Sequence, residues 1–387
     1  MTRSSDAPIP ASTSRLTGTP RTTSDEARAA RIQTAIDRLA ARRGVTHAVA
    51  GVASLDGTFR YHGAAGVARP DGSPTLPETP YFVASVTKLY LATSVLQCVE
   101  RGEIDLDAPM TAYLPPAVTT GLHHRRGVDH SDEITIRHLL GHTSGLPDYL
   151  EDAPRGEQSW YRRVADGEDL AWGFDDVVRR TRELESRFAP RDLTARRQRA
   201  RYSDTGFQLL IAVVEAVTGL AFGDVLEQRL LRPVGLRQTY LAGHSQPLDP
   251  MPTPAAMYDR GRALDVSHAL GSARDLISTV DDTERFLAAL VRGEPFADPT
   301  TGRVMHERWN RIHYPLRYGL GTMRFDVNRL VGPGRRPVTL IGHSGATGSW
   351  LFHCPELDVV LTGTVDQVRG RTIPFRFMAR LLTAYHG

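Results

Sequence analysis

Strand-like patterns occur near both ends of this chain, and helical patterns fill the part between them. Alternating or continuously apolar runs cover residues 47–55, 58–67, 338–342, 349–353 and 357–364. Strands far apart in sequence can share one sheet, and an apolar sheet face has to be covered by other elements. The chain is therefore predicted to adopt an α+β fold, in which an antiparallel β-sheet built from both ends is flanked by helices and carries a mostly helical inserted domain.

Helical spacing of apolar residues marks the candidate helices. Ile32, Ile36 and Leu39 recur at intervals of three and four within residues 25–43, and Gly44 then provides a C-terminal stop. The same periodicity predicts further helices over residues 85–101, 206–217, 281–291 and 374–386. The dipeptide Asp-Gly between the first two strand-like runs predicts a β-hairpin with a two-residue turn.

These elements divide the chain into three predicted parts. Residues 25–114 and 265–387 are expected to form the domain that contains the sheet, and residues 115–264 the helical insertion domain, with a cleft between them. Residues 1–24 are rich in Ser, Thr and Pro and are expected to be a disordered tail.

The charge balance limits the classes of partner. The 387 residues carry 47 Lys and Arg against 44 Asp and Glu, and the basic residues lie among acidic ones, so a nucleic-acid partner is not expected. No segment reaches the roughly 18 uninterrupted apolar residues of a membrane span, and the start of the chain lacks the apolar stretch of a secretory signal. We expect a cytoplasmic protein without a membrane partner, and its oligomeric state is not specified by the sequence.

The cysteines and the clustered histidines predict neither a cofactor nor a metal. Cys98 falls on an apolar helical pattern and Cys354 ends a strand-like run. A single disulfide is the alternative, but two buried thiols are expected because a chain of this size does not need a cross-link. His123, His124 and His130 are interpreted as loop residues, since no helical or strand spacing brings them together.

The sharpest chemical motif is Ser-Val-Thr-Lys at residues 85–88. If Ser85 begins a helix, Lys88 lies almost one turn further on and on the same face. A serine hydroxyl is a weak nucleophile until a neighbouring group takes its proton, and a helix N-terminus presents N–H groups to an oxyanion. The structural alternative is that Ser85 is only an N-cap and Lys88 an ordinary helical residue.

Two further motifs follow at long intervals. Tyr-Ser-Asp at residues 202–204 comes just before the helix predicted at 206–217, and His-Ser-Gly-Ala at residues 343–346 follows a strand-like run. In isolation, the first is compatible with a helix cap and the second with a turn. Gly345 leaves the backbone open to close approach by a ligand.

The order and spacing of the three motifs resemble those of the penicillin-recognising serine hydrolases, and within them the class C β-lactamase branch with its D-Ala-D-Ala carboxypeptidases, esterases and transacylases. Residues 134–147 match a stretch typical of that branch, ITIRHLLGHTSGLP. The resemblance runs from about residue 31 to the C-terminus. It implies a β-lactamase/transpeptidase-like fold, acyl-enzyme chemistry, and no metal or organic cofactor.

The resemblance implies that Ser85 is the acylated nucleophile and that Lys88 and Tyr202 share the proton transfer. Two schemes remain open. Lys88 acts as a neutral base if its pKa falls by about three units from ~10.4. Alternatively, Lys88 stays charged and lowers the pKa of Tyr202, whose phenolate then acts as the base.

The same resemblance places the substrate-binding residues. The backbone N–H groups of Ser85 and Ala346 would form the oxyanion hole, with Gly345 allowing close approach of the backbone. Asp204 and His343 would line the cleft and position the catalytic groups and the substrate.

Two residues depart from the pattern of members that act on penicillins or cell-wall peptides, which carry Asn in place of Asp204 and Lys in place of His343. The changes remove positive charge that would bind a substrate carboxylate. They favour a carboxylic ester hydrolase or transacylase acting on a small-molecule ester or amide. The alternative is a D-stereospecific amidase or peptidase, with Asp204 contacting a substrate amine, or a β-lactamase-type amide hydrolase. A non-catalytic binding protein is disfavoured because Ser85, Lys88 and Tyr202 are all present.

Overall fold

The computed structural model describes residues 13–16, 23–195 and 198–387. The strands are β1 (Thr13–Leu16), β2 (His47–Ser54), β3 (Arg60–Gly66), β4 (Tyr81–Phe82), β5 (His124–Arg125), β6 (Val128–Asp129), β7 (Tyr240–Leu241), β8 (Met257–Asp259), β9 (Arg262–Leu264), β10 (Leu276–Ser278), β11 (Asn310–His313), β12 (Leu316–Tyr318), β13 (Met323–Val327), β14 (Val338–Ser344), β15 (Trp350–Cys354) and β16 (Val359–Thr364). The helices are α1 (Thr23–Ala40), α2 (Thr87–Glu100), α3 (Pro116–Thr119), α4 (Ile136–Leu140), α5 (Trp160–Ala165), α6 (Phe174–Arg182), α7 (Asp204–Thr218), α8 (Phe222–Leu226), α9 (Arg232–Val234), α10 (Ser267–Ala273), α11 (Val280–Arg292) and α12 (Ile373–His386).

A nine-stranded sheet joins the two ends of the chain. Its strand order is β1-β3-β2-β16-β15-β14-β13-β12-β11, and the neighbouring strands pair antiparallel. The central pairing connects β2 with β16, with Val49 opposite Thr364 and Ser54 opposite Val359. The prediction of an α+β fold with one antiparallel sheet assembled from both ends is confirmed.

Side chains alternate between two cores on the two faces of this sheet. On β15, Trp350 and Phe352 point into the core that also contains Ile36 of α1 and Phe377 of α12. Leu351, between them, belongs to the opposite core, which also contains Leu89 of α2. This alternation follows from the two-residue period of a strand, and it explains why every residue of β15 is buried.

Helix α2 lies at the centre of the second core. Residues 87–98 are all buried, which is typical of a helix surrounded on every side by protein. It packs in the same core as Leu210 of α7. No single described helix is long and apolar enough to cross a membrane, and α7 passes that test only together with Phe222–Val234, to which it is bent by 77°.

The region before α1 includes a short strand. Thr13–Leu16 forms edge strand β1, paired with β3 so that Leu16 lies opposite Tyr61. Residues 1–12 and 17–22 lie outside the described part of the chain, and the predicted tail of residues 1–24 stays a prediction. Backbone pairing with a neighbouring strand can order a polar segment that the hydrophobic pattern alone does not reveal.

Two local predictions need correction. The hairpin between β2 and β3 forms, but its loop is longer than the two residues expected, and the Asp56 carboxylate accepts a hydrogen bond of 2.9 Å from the Thr58 N–H. Strands β11 to β13 were not predicted.

Helices α3 to α9 lie within residues 115–264, the predicted helical insertion. The domain boundaries themselves stay a prediction.

The cysteines are both buried and free, as expected. Burial raises the pKa of Cys98 and of Cys354 to about 12. Such thiols are poor nucleophiles at neutral pH.

Candidate active site

Ser85 lies in a tight turn at the entrance to α2. The turn is a single 3₁₀ segment, Ala84–Val86, and α2 itself begins at Thr87, so Ser85 precedes the helix instead of starting it. Ala84 has a φ of +49°, a left-handed conformation that is uncommon for a non-glycine residue. The Lys88 Nζ donates a hydrogen bond of 3.0 Å to Ser85 Oγ, as the Ser-x-x-Lys spacing predicts.

Lys88 also pairs with the third residue of the second motif. Its Nζ lies 2.6 Å from Asp204 Oδ1, and the lysine side chain is only 6% exposed. Burial acts to lower the pKa of Lys88, but the carboxylates of Asp204 and Asp275 outweigh it and raise the pKa above its ordinary value. Lys88 is therefore charged in the free protein, which disfavours the scheme in which it is a neutral base.

Tyr202 lies beside the same ammonium group. Lys88 Nζ is 5.1 Å from the centre of the Tyr202 ring. The Tyr202 hydroxyl is buried and has no hydrogen bond of ordinary geometry among the described residues. Burial and the Asp204 carboxylate raise its pKa well above the ordinary value, although the nearby Ser85 hydroxyl acts in the opposite direction. Tyr202 is therefore protonated in the free protein, as Lys88 is.

The loop that follows the ITIRHLLGHTSGLP stretch fixes the start of α7. Ser203 Oγ donates a hydrogen bond of 2.9 Å to the Pro147 carbonyl. The Asp148 carboxylate accepts hydrogen bonds from the N–H groups of Leu150, at 2.9 Å, and Asp204, at 3.1 Å. Asp148 is buried, and burial together with the Asp204 charge raises its pKa. Asp148 was not predicted as a site residue, although it directly follows the recognised stretch.

His142, which lies within the ITIRHLLGHTSGLP stretch, packs against Tyr202. The His142 ring lies 4.2 Å from the Tyr202 ring and 4.4 Å from that of Tyr318, measured between centroids. Its Nδ1 accepts a hydrogen bond of 3.2 Å from the Ser203 N–H. Burial and the Lys88 charge lower the pKa of His142 well below its ordinary value, so the ring is neutral. Neither His142 nor Tyr318 was predicted as a site residue.

His343 is fully buried and contacts Tyr318, whereas the sequence predicted it in the wall of the cleft. Its Nδ1 donates a hydrogen bond of 2.9 Å to the Ser344 carbonyl, so Nε2 accepts one of 2.9 Å from the Tyr318 hydroxyl. Burial and the Lys88 charge lower the pKa of His343 to about 3. His343 is therefore a neutral support for Tyr318 and supplies no positive charge to a substrate.

Gly345, in the His-Ser-Gly-Ala motif at residues 343–346, packs against the turn that carries Ser85. A Cβ atom at position 345 would lie 2.8 Å from Ala84 Cβ and 2.9 Å from the Val83 carbonyl oxygen, closer than real Cβ atoms approach. Gly345 therefore permits the end of β14 to pack against the turn that carries Ser85. Ser85 and Ala346 both line one cleft, as an oxyanion hole formed by their backbone N–H groups requires.

The cleft is partly open to solvent. Its lining includes Lys88, Asp204 and Ala346, whereas His343 is outside it. Much of the wall is apolar or aromatic, with Tyr149 and Trp172 among its residues. The cleft can therefore hold a hydrophobic acyl group next to the nucleophile.

The histidines of the central region do not form a metal site. The His123 and His130 rings lie 5.4 Å apart because the hairpin of β5 and β6 folds one segment onto the other, contrary to the interpretation that nothing brings them together. Burial lowers the pKa of His123. Within residues 13–16, 23–195 and 198–387, no group of three or more His, Cys, Asp or Glu side chains is arranged to hold a metal ion.

Comparison with known sequences finds related esterases and penicillin-binding proteins. The chain is similar to esterase EstB of Burkholderia gladioli, with 36% identity over 214 residues, 54% of this chain and 50% of the esterase. It is also similar to penicillin-binding protein 4* of Bacillus subtilis, with 27% identity over 49% of this chain and 36% of that protein. The chain thus spans half or less of the length of these relatives.

Comparison with solved structures agrees on the fold. A D-stereospecific amidohydrolase from Streptomyces sp. superposes with a TM-score of 0.69 and 29% identity, over 88% of this chain and 95% of that one.

The profile of the Beta-lactamase family matches residues 32–384, which contain all three motifs. On this match and this fold, the chain belongs to the Beta-lactamase family.

Proposed function

We propose that this protein is a serine hydrolase or acyltransferase that forms an acyl-enzyme on Ser85 and acts on small carboxylic esters or amides. The observation that carries this proposal is the hydrogen bond of 3.0 Å from Lys88 Nζ to Ser85 Oγ at the wall of an apolar cleft. The relatives include an esterase, and the structural neighbours include an amidohydrolase.

The raised pKa values of Lys88 and Tyr202 favour a proton relay over a pre-formed base. Ser85 Oγ forms a bond to the acyl carbon, and the bond from that carbon to the leaving alcohol or amine breaks. The Ser85 proton passes to the Tyr202 oxygen, and the Tyr202 proton passes to the leaving oxygen or nitrogen. Lys88 keeps its charge and stabilises the negative charge that develops on Ser85 Oγ.

The second half-reaction reverses the relay. Water, an alcohol or an amine attacks the acyl carbon and gives its proton to the Tyr202 oxygen, which returns a proton to Ser85 Oγ as the acyl–oxygen bond breaks. Attack by water makes the protein a hydrolase, and attack by an alcohol or amine makes it a transacylase.

The charges of the cleft favour substrates without a free carboxylate. Lys88 is paired with Asp204 at 2.6 Å. The guanidinium of Arg274, which also lines the cleft, is paired with Glu215. His343 is neutral, since its pKa is lowered to about 3. A substrate carboxylate would therefore have no unpaired cation among these groups to bind.

A second candidate is an amidase for amino-acid derivatives. The lining of the cleft contains the carboxyl groups of Glu151, Asp204 and Asp275, which favour a substrate that carries an amine. This candidate fails if neutral acyl esters are hydrolysed well and amino-acid amides are not.

The test combines kinetics with covalent labelling. Wild-type protein, Ser85→Ala and Ser73→Ala, a serine outside the cleft lining, are compared on a short-chain p-nitrophenyl ester. We expect Ser85→Ala to lose about 10³-fold or more of kcat/KM and Ser73→Ala to retain it. A fluorophosphonate should add its mass to the peptide that contains Ser85. Equal rates for wild-type and Ser85→Ala protein, with no label on Ser85, would contradict the proposal.

A further inference from the structure

Asp275 is a carboxylate of the cleft to which no sequence motif pointed. It precedes β10 and follows Arg274, whose φ is +57°. Its carbonyl oxygen accepts a hydrogen bond of 3.0 Å from the Ala242 N–H. The next residue, Leu276, donates its N–H to Thr87 Oγ1 at 2.9 Å. These contacts hold Asp275 beside the first turn of α2, in the same cleft as Ser85.

The other two carboxylates of the cleft are each paired with a cation. Glu151 lies 2.6 Å from Arg371, and Asp204 lies 2.6 Å from Lys88. Asp275 has no ion pair within 4 Å among the described residues, and Lys88 and Asp204 are the charged groups that act on it from α2 and α7. The negative charge of Asp275 is therefore the unpaired charge among these three carboxylates.

An unpaired carboxylate in a partly buried position is costly, because burial removes water from a charge that no protein cation replaces. Burial, which the Lys88 charge and a hydrogen bond with the Thr87 side chain only partly offset, raises the pKa of Asp275 to about 6. A positively charged ligand group would supply the missing partner. Asp204 cannot play this part while it is bound to Lys88, so the amine contact that the sequence assigned to Asp204 moves to Asp275.

We propose that Asp275 binds a protonated amine on the acyl part of the substrate, so that the enzyme prefers aminoacyl esters or amides to the corresponding compounds without the amine. This inference rests on the proposed acyl transfer at Ser85. Asp275 acts as a specificity residue: it forms an ion pair with the substrate ammonium group, and the acyl carbon is placed at Ser85 Oγ. The nearby aromatic wall, which includes Tyr149 and Trp172, accepts the apolar side chain of the acyl group.

The test uses two esters that differ only in the amine, phenylalanine methyl ester in each enantiomer and methyl 3-phenylpropanoate. The readout is the ratio of kcat/KM for the aminated ester to that for the neutral ester, at pH 7. We expect a ratio of at least about ten for one enantiomer in the wild-type protein, the effect of one charge-assisted contact. Asp275→Asn should lower that ratio at least about tenfold.

The matched control is Asp107→Asn, which removes a carboxylate outside the cleft lining that is paired with Arg137. Its ratio should stay within about twofold of the wild-type ratio. A wild-type ratio of one or less, or a ratio that Asp275→Asn leaves unchanged, would overturn the ammonium site. If Asp275→Asn does not fold, binding of 2-phenylethylammonium to the wild-type protein decides the question, because an α-ammonium group by itself makes an ester more reactive.

A binding measurement separates this inference from the proposed activity. Calorimetric titration with 2-phenylethylammonium, which is charged at pH 7, should show binding to wild-type protein that weakens at least about tenfold in Asp275→Asn. Absence of turnover of every ester and of labelling at Ser85 would contradict the proposed function, and the titration would still decide on the ammonium site. Turnover of the neutral ester without amine preference or amine binding would contradict only the ammonium site.

Discussion

Lys88 Nζ lies 2.6 Å from the carboxylate of Asp204, and this pair sets the charge state next to the nucleophile. The same Nζ donates to Ser85 Oγ at 3.0 Å. Because the pKa of Lys88 is raised, the group beside the nucleophile is an ammonium ion and not an amine. Its role in the proposed relay is electrostatic.

Asp204→Asn should move the alkaline limb of the pH–rate profile to lower pH. The Asp204 carboxylate is the main group that raises the pKa of Lys88 against burial. In the variant Lys88 loses its proton at lower pH, and the kcat/KM on a neutral ester should fall about one pH unit or more earlier than in the wild-type protein. Profiles between about pH 6 and 10.5 test this, with Asp107→Asn, outside the cleft lining, as control. A variant that becomes faster at neutral pH would instead show that neutral Lys88 is the base.

Tyr202→Phe should separate activity from stability. Loss of the relay hydroxyl is expected to lower kcat/KM about 10²- to 10⁴-fold. The buried hydroxyl has no hydrogen bond of ordinary geometry among the described residues, so its removal should leave the free energy of unfolding unchanged or slightly higher. Ester kinetics and urea denaturation of the same preparation measure both. Near wild-type kinetics would remove Tyr202 from the relay.

His343→Gln should flatten the dependence of stability on pH in the acid range. The folded-state pKa of His343 is about 3, below the ~6.5 of an unfolded chain, so between these values the unfolded state binds the extra proton. The group therefore stabilises the fold above about pH 6.5, and this stability is lost as the pH falls, by about 1.4 kcal/mol per unit.

Urea denaturation between about pH 4.5 and 6.5 measures that slope. His142, whose pKa is also lowered, contributes in the same direction and remains in the variant. The slope should therefore decrease without vanishing. An unchanged slope would mean that His343 is not kept neutral by the fold.

Gly345→Ala should damage catalysis through the backbone. The new methyl group would lie 2.8 Å from Ala84 Cβ and must push the end of β14 away from the turn that carries Ser85. We expect kcat/KM to fall about 10²-fold or more, as for loss of an oxyanion-hole donor. Gly223→Ala in α8 is the control, because its Cβ would meet ordinary contacts at 3.6 Å or more. Wild-type activity of Gly345→Ala would contradict the close approach.

Regular periodicity explains why most helices and central strands could be predicted. α12 was expected at 374–386 and occurs at Ile373–His386, and β16 was expected within 357–364 and occurs at Val359–Thr364, where every residue is buried. The Ser-x-x-Lys contact could also be predicted, since it depends on one helical turn. β12 is only three residues long and follows directly after Pro315, so its sequence shows no strand periodicity. Tyr318, at the end of this strand, could not be recognised as a site residue for the same reason.

The missed site residues come from distant segments. Asp275 reaches the cleft because β10 pairs with β4, immediately before the nucleophile turn, and this pairing brings together segments separated by most of the central region. A single carboxylate has no spacing by which it could be recognised. The sequence predicted His343 in the wall of the cleft, but its burial behind Tyr318 depends on contacts between strands that the sequence does not reveal.

The sheet in which Val49 pairs with Thr364 also determines when this protein can become active during synthesis. The turn that carries Ser85 is synthesised well before Ala346 and its strand. Pairing over such a long sequence separation is slow, because the loop entropy must be lost before the contacts form. A nascent chain therefore contains Ser85 before it contains the proposed second oxyanion donor, Ala346, and we expect no activity until β14 to β16 have completed the sheet.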